Sequence, residues 1–322
     1  MSITVVSLNP SIDWQLTTQD FVYGGLNRVE MGGRYASGKG INVAVALKNL
    51  GLDPLCTGFN YRDNGEFVAG ALDDHGVRHD FVMADGAVRV NIKLHDAAGT
   101  MTELNQPGCH VSDTALFEFN EKMMTTAKKA SLLHRRKSLA RGPFLVLSGS
   151  LPAGVPVDIY RRLCVVWPGV VVLDAEGEAL KQALAGSSPP YCIKPNLFEL
   201  ESCFGVKLSS VDKIAAFCRD LLREYGIGVI CVSLGADGAV LVTASAALYM
   251  PGLDLDVRGV QGAGDAMVAG LVYGLYSGAA EAELLCMASA AAAASVEREG
   301  TLMCTGADFK RFLAGMPMPV LL

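Results

Sequence analysis

The chain is short of charge, aromatics and histidine, and each shortage closes off a class of function. Of its 322 residues 19% are charged and 7% aromatic, and five are histidines. With 51% hydrophobic residues, so little charge excludes a disordered chain and leaves a globule of one large α/β domain or about two domains. The net charge of −6 gives no overall attraction for nucleic acid. No apolar run reaches the about 20 residues of a membrane-spanning helix, although mean hydropathy is +0.32. Residues 266–280 are uncharged but hold three glycines, and 284–296 give only 13 more. The opening Met1-Ser-Ile-Thr-Val-Val carries neither a basic leader nor a long apolar segment, so a cytoplasmic protein with no membrane partner is expected. There is no CxxC pair, and the nine cysteines sit mostly in apolar runs, as reduced core residues do. His75 and His79 are four apart with no further ligand nearby, which reads as solvated surface histidines rather than a metal pair.

What is present is an alternation. Apolar runs at 3–8, 55–59, 144–147, Val170–Asp174, 191–193 and Val229–Ser233 suit strands buried on both faces of a parallel sheet. Helical stretches lie between them at 39–50, Gly65–Asp74 and Val211–Tyr225, and later at 266–276 and 284–296. This is the pattern of a layered α/β sandwich. One segment departs from it. Residues 88–95 alternate strictly, with Val88, Val90, Ile92 and Leu94 apolar and Arg89, Asn91, Lys93 and His95 polar. That is a strand with one face open to solvent or ligand, followed by a turn at Ala98-Gly99 and a second strand at 101–104. Residues 14–22 and 28–31 offer further strands, so a small β appendage over the core is expected. Lys93 reads as an exposed strand residue. The basic run 128–141 reads as a solvated helix end.

Two glycine clusters carry chemistry. Gly262-Ala263-Gly264-Asp265 opens an apolar helix, whose first N–H groups form an anion hole for a phosphoryl group. Asp265 at that mouth is a candidate base, with a helix cap as the plain alternative. Gly38-Lys39-Gly40-Ile41-Asn42 has neither the Walker spacing nor the dinucleotide glycine pattern. A loop with one Lys and one Asn suits a polar, anionic small molecule. A glycine fingerprint straight after the first strand, as a dinucleotide-dependent oxidoreductase would show, is replaced here by Asn9-Pro10.

In order along the chain come Asn9-Pro-Ser-Ile-Asp13, Gly38–Asn42, Gly149-Ser-Leu-Pro152, Lys194-Pro-Asn-Leu-Phe-Glu199, Ser233-Leu-Gly-Ala-Asp-Gly238 and Gly262–Asp265. The series resembles the ribokinase-like carbohydrate kinases over residues 3–300, in their phosphofructokinase-B branch. The 37–44 loop and Thr102-Glu-Leu-Asn-Gln-Pro-Gly108 look most like 1-phosphofructokinases and tagatose-6-phosphate kinases. The resemblance implies a three-layer α/β/α sandwich with a mostly parallel central sheet and a small β-sheet lid. The core would be 1–12, 37–86 and 108–322, and the lid 13–36 and 87–107.

The resemblance also implies an ATP- and Mg²⁺-dependent hexose-phosphate kinase, with fructose 1-phosphate to fructose 1,6-bisphosphate as the leading activity. Tagatose 6-phosphate and fructose 6-phosphate are alternative substrates, and a non-catalytic sugar-phosphate sensor on the same scaffold is the alternative function. By the same carry-over Asp265 is the base and Gly262, Ala263 and Gly264 the anion hole. Lys194, Asn196, Ser233, Gly235, Gly238 and Gly264 contact the nucleotide. Asn196 and Glu199 organise Mg²⁺ through water. Asp13, Gly38, Asn42 and Asn105 read the sugar, and Arg89 and Lys39 hold its phosphate. A homodimer through the lid is implied.

Three departures from the family pattern stand out. Gly259 and Val260 replace an acidic residue and a hydroxyl residue, so K⁺ activation is not expected. Ala175 follows Asp174 where Ser or Thr is usual. The stretch 130–141 looks like an insertion.

Overall fold

The computed structural model describes the backbone of residues 2–137 and 142–322, with side chains throughout except at 133–137. The chain enters through β1 (Ile3–Ser7), then leaves the core for β2 (Ser11–Thr17) and β3 (Glu30–Ser37). It returns as α1 (Lys39–Asn49), β4 (Pro54–Asp63), α2 (Gly65–Asp74) and β5 (Arg78–Ala87). A hairpin of β6 (Arg89–His95) and β7 (Met101–Asn105) follows, then α3 (Asp113–Lys137) and β8 (Phe144–Ser148). The next stretch is α4 (Ile159–Val166), β9 (Val170–Asp174), α5 (Gly177–Leu184), β10 (Cys192–Ile193), α6 (Leu197–Phe204), α7 (Val211–Tyr225) and β11 (Val229–Ser233). It ends with β12 (Gly238–Thr243), β13 (Ala247–Pro251), α8 (Ala263–Ser277), α9 (Glu281–Val296), α10 (Gly306–Gly315) and β14 (Val320–Leu321).

The strands form a ten-stranded sheet in the order β14-β13-β12-β11-β10-β9-β8-β1-β4-β5 and a four-stranded sheet in the order β3-β2-β6-β7. From β5 to β11 every pair in the large sheet is parallel; β12, β13 and β14 add on antiparallel. β1 and β8 are buried along their whole length, as strands covered by helices on both sides must be. The helices α1, α8, α9 and α10 pack in succession, and α3, α4, α5 and α6 make a second run of touching helices. From β1 the chain builds outward through β4 and β5, then crosses back to β8 and builds the other way. The strand order therefore reverses between β1 and β8, where an open α/β sheet has its ligand crevice, beyond the carboxyl ends of the strands. Asn9, Gly149, Asp174, Lys194 and Ser233 all lie at those ends.

The lid strands differ from the sequence expectation. β2 begins at Ser11 and stops at Thr17, and β3 runs over Glu30–Ser37. The apolar residues between them, Phe21, Val22, Tyr23 and Leu26, are exposed loop residues, Tyr23 at 95%. His75 lies just past the end of α2 and His79 sits on β5, so they share no helix. All nine cysteines are unpaired thiols and seven are buried. The suspected insertion at 130–141 lies partly outside the described residues, as does the basic run 128–141. Among the described residues no helix is long and apolar enough to cross a membrane.

Candidate active site

The first turn of α8 is the focus of the site. Gly262, in the left-handed region at φ 76°, turns the chain into the helix. That backbone conformation favours glycine, and a Cβ there would also have to push aside the Met303 Cε. The N–H groups that follow have no partner inside the helix and face a cavity of about 530 Å³, lined by Ala263, Gly264 and Asp265. Asp265 is buried, and its Oδ2 accepts from Asn42 Nδ2 at 2.8 Å. Burial, helped by the charge of Asp174 and opposed by Lys39, Asn42 and Lys194, pushes the Asp265 carboxyl up to about 7. A carboxylate at that value is matched to proton abstraction near neutral pH.

Beneath it is a charge cluster centred on Asp174, the last residue of β9. Lys194 Nζ is 3.5 Å from Asp174 Oδ1 and Lys39 Nζ is 3.4 Å from Oδ2. Ser148 Oγ donates to Asp174 Oδ2 at 3.3 Å. Lys39 also lies 3.5 Å from Glu199 Oε1. Burial works against the Asp174 charge, but the two lysines outweigh it and hold the carboxyl below its ordinary range. Burial likewise works against the Lys39 charge, and the surrounding carboxylates, Asp174 first, outweigh it and raise the ammonium above its ordinary range. A Cβ on Gly264 would sit 3.4 Å from Lys194 Nζ, so that ammonium lies against the first turn of α8.

Asn196 and Glu199 form a capping box on α6. Asn196 Oδ1 accepts from Glu199 N at 2.7 Å, and Glu199 Oε2 accepts from Asn196 N at 2.8 Å. This leaves Glu199 Oε1 to face Lys39 and the cavity. Ser233, Gly235 and Gly238 line the same cavity, and part of its wall is apolar, with Val257, Val260, Ala292 and Val296. Ser289 Oγ on that wall is buried with no hydrogen-bond partner among the described residues. The alanine run 290–294 is thus a core helix on one side and a cavity wall on the other. Gly259 has no room for a side chain, since a Cβ would be 2.8 Å from both Arg298 O and Gly300 O.

The second half of the site is the inner face of the lid. Asp13, buried, pairs with Lys93 at 2.8 Å and accepts from Asn91 and Ser11. Arg89 donates to Asn9 O, Gln106 O and Asn91 Oδ1, which holds its guanidinium against the end of β1. Asn9 Nδ2 in turn reaches Ser150 Oγ and Pro107 O. Gly38, at φ 105°, precedes α1 and aims Asn42 at Asp265. Asn105 is exposed on the edge strand β7, in register with Asn91. A further cavity of about 450 Å³, between α1, α2 and Thr301–Met303, holds neither Asp265 nor a lysine; Asn42 and the β3 residues Arg34, Tyr35 and Ala36 also line it.

Three placements differ from the sequence expectation. Lys93 is 6% exposed rather than open, because the polar face of β6 folds inward over the core. Lys39 is tied to Asp174 and Glu199, so the structure groups it with the cavity rather than with Arg89. Asp174 is the centre of the cluster, although only its neighbour Ala175 had stood out as a departure. The signal that marks Asp174 is a carboxylate at the carboxyl end of a core strand.

These features have close counterparts among known proteins. Residues 2–307 match the family model described as pfkB family carbohydrate kinase. The chain belongs to that family. It is 34% identical over 276 residues to the 1-phosphofructokinase of Bacillus subtilis, covering 85% of each chain. It is 32% identical over 300 residues to the 1-phosphofructokinase of Escherichia coli K12, covering 92% of this chain and 91% of the other. Escherichia coli phosphofructokinase-2, solved in complex with potassium, superposes with a TM-score of 0.87 at 26% identity over 98% of both chains. The ribokinase-like architecture and the assignment to sugar-phosphate kinases are therefore plain.

Proposed function

We propose that the protein transfers the γ-phosphoryl group of ATP to the free primary hydroxyl of fructose 1-phosphate, giving fructose 1,6-bisphosphate and ADP. The observation that carries this reading is Asp265, buried at the mouth of α8 and held by Asn42 where the nucleotide cavity meets the lid face. Asp265 takes the hydroxyl proton as the oxygen attacks. The N–H groups of Gly262–Asp265, with Lys194 beside Gly264, stabilise the charge that develops on the phosphoryl oxygens. The adenine occupies the apolar part between Val260 and Ala292, and Ser289 Oγ is free to bond it. Asp13, Asn42, Gly38 and Asn105 read the sugar hydroxyls, and Arg89 grips the existing phosphate. Similarity to the 1-phosphofructokinases named above supports fructose 1-phosphate over its isomers.

Among the described residues no group of three or more His, Cys, Asp or Glu side chains is placed to cage a metal. The donor set suits Mg²⁺ carried on the phosphates and met through water by Glu199, with Asn196 holding that carboxylate in place. Bound there, Mg²⁺ would neutralise charge on the β- and γ-phosphates. A homodimer is part of the proposal. The outer lid face is apolar, with Trp14, Ile92, Leu104 and Met31, and Leu104 and Met31 are 54% and 55% exposed. A second copy of the same sheet would cover it.

A coupled ADP-release assay tests the activity against fructose 1-phosphate, fructose 6-phosphate, tagatose 6-phosphate, fructose, ribose and adenosine. A roughly 10²-fold preference in kcat/KM for fructose 1-phosphate is expected, which is within reach of a site that hydrogen-bonds its substrate. Silence across the panel with binding intact would replace the kinase by a sugar-phosphate sensor.

A further inference from the structure

The lid face that meets the core carries a buried cation that anchoring of the substrate phosphate does not use. Lys93 projects from β6 on the same side as Arg89 and Asn91, and β6 runs parallel to β2 with Asn91 opposite Asp13 and Lys93 opposite Gln15. Its ammonium lies 2.8 Å from Asp13 Oδ2, with both residues nearly shut off from solvent. Asp13 Oδ1 already accepts from Ser11 Oγ at 3.1 Å and Asn91 Nδ2 at 3.0 Å. An ammonium has three donors. Asp13 is the one polar partner of Lys93 among the described residues, so up to two donors remain on a side chain with little access to water. Buried donors left open in this way are uncommon in a folded protein. A salt bridge kept only for stability has little to recommend it over apolar packing of the same volume.

We infer that Lys93 is a sugar-positioning residue: it fixes the Asp13 carboxylate as an acceptor and turns its remaining N–H donors to a ring hydroxyl of the ketose. Asp13 and Lys93 together offer an acceptor and a donor side by side, which is what a hydroxyl, both donor and acceptor, requires. Arg89 on the same strand takes the phosphate, and Lys93, already neutralised by Asp13, adds no net charge for it. The inference rests on the phosphoketose reading above.

The test compares wild type with Lys93→Met, a neutral side chain of similar length. Calorimetric binding of fructose 1-phosphate and of its 3-deoxy and 4-deoxy analogues is measured alongside the KM values and kcat. Lys93→Met is expected to weaken sugar binding about tenfold or more, the scale of one hydrogen bond to a charged group, while the KM for ATP stays within about threefold. The wild-type preference for the parent sugar over one deoxy analogue should shrink in the variant, because the donor that read that hydroxyl is gone. Binding within about twofold of wild type would overturn the inference. So would an equal loss against all three sugars, which marks a purely structural side chain. If Lys93→Met does not fold, Lys93→Gln is measured the same way, and failure of both to fold assigns Lys93 to the scaffold and overturns it too. A wild-type protein that binds these sugars without releasing ADP would sink the kinase reading while leaving the binding ratios to judge Lys93; one that binds none of them overturns both.

Discussion

Replacing Asp265 by Asn should do two opposite things, one to turnover and one to stability. The variant keeps the shape of the side chain and an oxygen for Asn42 to donate to, but it has no proton-accepting carboxylate. Turnover should fall about 10²-fold or more, the usual contribution of a general base, with binding of ATP and sugar phosphate near wild type. Stability should move the other way. An ordinary Asp titrates near 3.8, and burial first, then Asp174, carries Asp265 up to about 7. Because the folded state holds this proton more tightly than the unfolded chain, ionised Asp265 penalises folding. The penalty is absent below about pH 4, grows as pH rises toward 7 and is complete above it. Over about three pH decades it amounts to up to about 4 kcal/mol. Asn removes it. Thermal melts of the two proteins should coincide near pH 4.5, and the variant should melt about 5–10 °C higher at pH 8. In the wild type the same ionisation should appear as a rise in kcat/KM through about pH 7. Near-normal turnover in the variant would refute the base. Melts that differ equally at both pH values would refute the buried, raised carboxyl.

Further outcomes follow from other parts of the site. Arg89→Ala should raise the KM for fructose 1-phosphate far more than that for ATP, by about tenfold or more for a lost charged hydrogen bond; equal effects in steady-state kinetics would remove the phosphate clamp. Ser289→Ala should weaken ATP about threefold while leaving the sugar KM unchanged, as loss of a single neutral hydrogen bond predicts. Fluorescence titration with ATP reads it, and unchanged affinity would mean that the Ser289 hydroxyl does not meet the base. Ile92→Glu, on the apolar outer face of the lid, should convert a dimer to monomer in light scattering. A protein that is already monomeric before the change would discard the lid as the contact.

Much of the core was legible because its signals are local. Gly65–Asp74, Val211–Tyr225, Val170–Asp174 and Val229–Ser233 have the same bounds as sequence-read segments and as elements. Each is either a single apolar stripe at helical spacing or a run buried on both faces. The lid was harder. β3 contains Gly32-Gly33, which gives no strand signal of its own and is held by pairing with β2. The apolar 20–29 loop imitates a strand by composition, yet it sits in solvent. Strict alternation along β6 identified the strand and its two faces, but it could not say which face is inward. The usual assumption puts the apolar side in, and here the polar side is in, with Asp13, Asn91 and Lys93 buried against one another. In the site, Asp265 and Asn42 were visible as motif residues, while Asp174 and Lys93 depended on neighbours from distant strands.

The charge count of the cluster explains why one aspartate is poised while its neighbour is not. Lys39 and Lys194 balance Asp174 and Glu199, and all four lie within 3.5 Å of an opposite charge. Asp265 comes as a fifth group with no cation left over, so its proton is the cheapest way to keep the site neutral. Asp174, with Lys194 beside it and Lys39 shared with Glu199, stays ionised in the same low-polarity surroundings. A triphosphate entering this cavity finds both lysines already committed. It must draw them off the carboxylates or arrive with counter-ions of its own, and at separations of about 4 Å the first course exposes Asp174 to the incoming phosphates at a cost of several kcal/mol. With the nucleotide placed here as proposed, the arrangement would favour nucleotide bound with its metal over bare nucleotide. It also links the two ligands, because any shift of Lys39 or Lys194 toward phosphate removes a charge that favours ionised Asp265. On the proposed assignment of Asp265 as base, it would then be least ready when nucleotide sits there alone, which would limit activation of water before the sugar hydroxyl is in place.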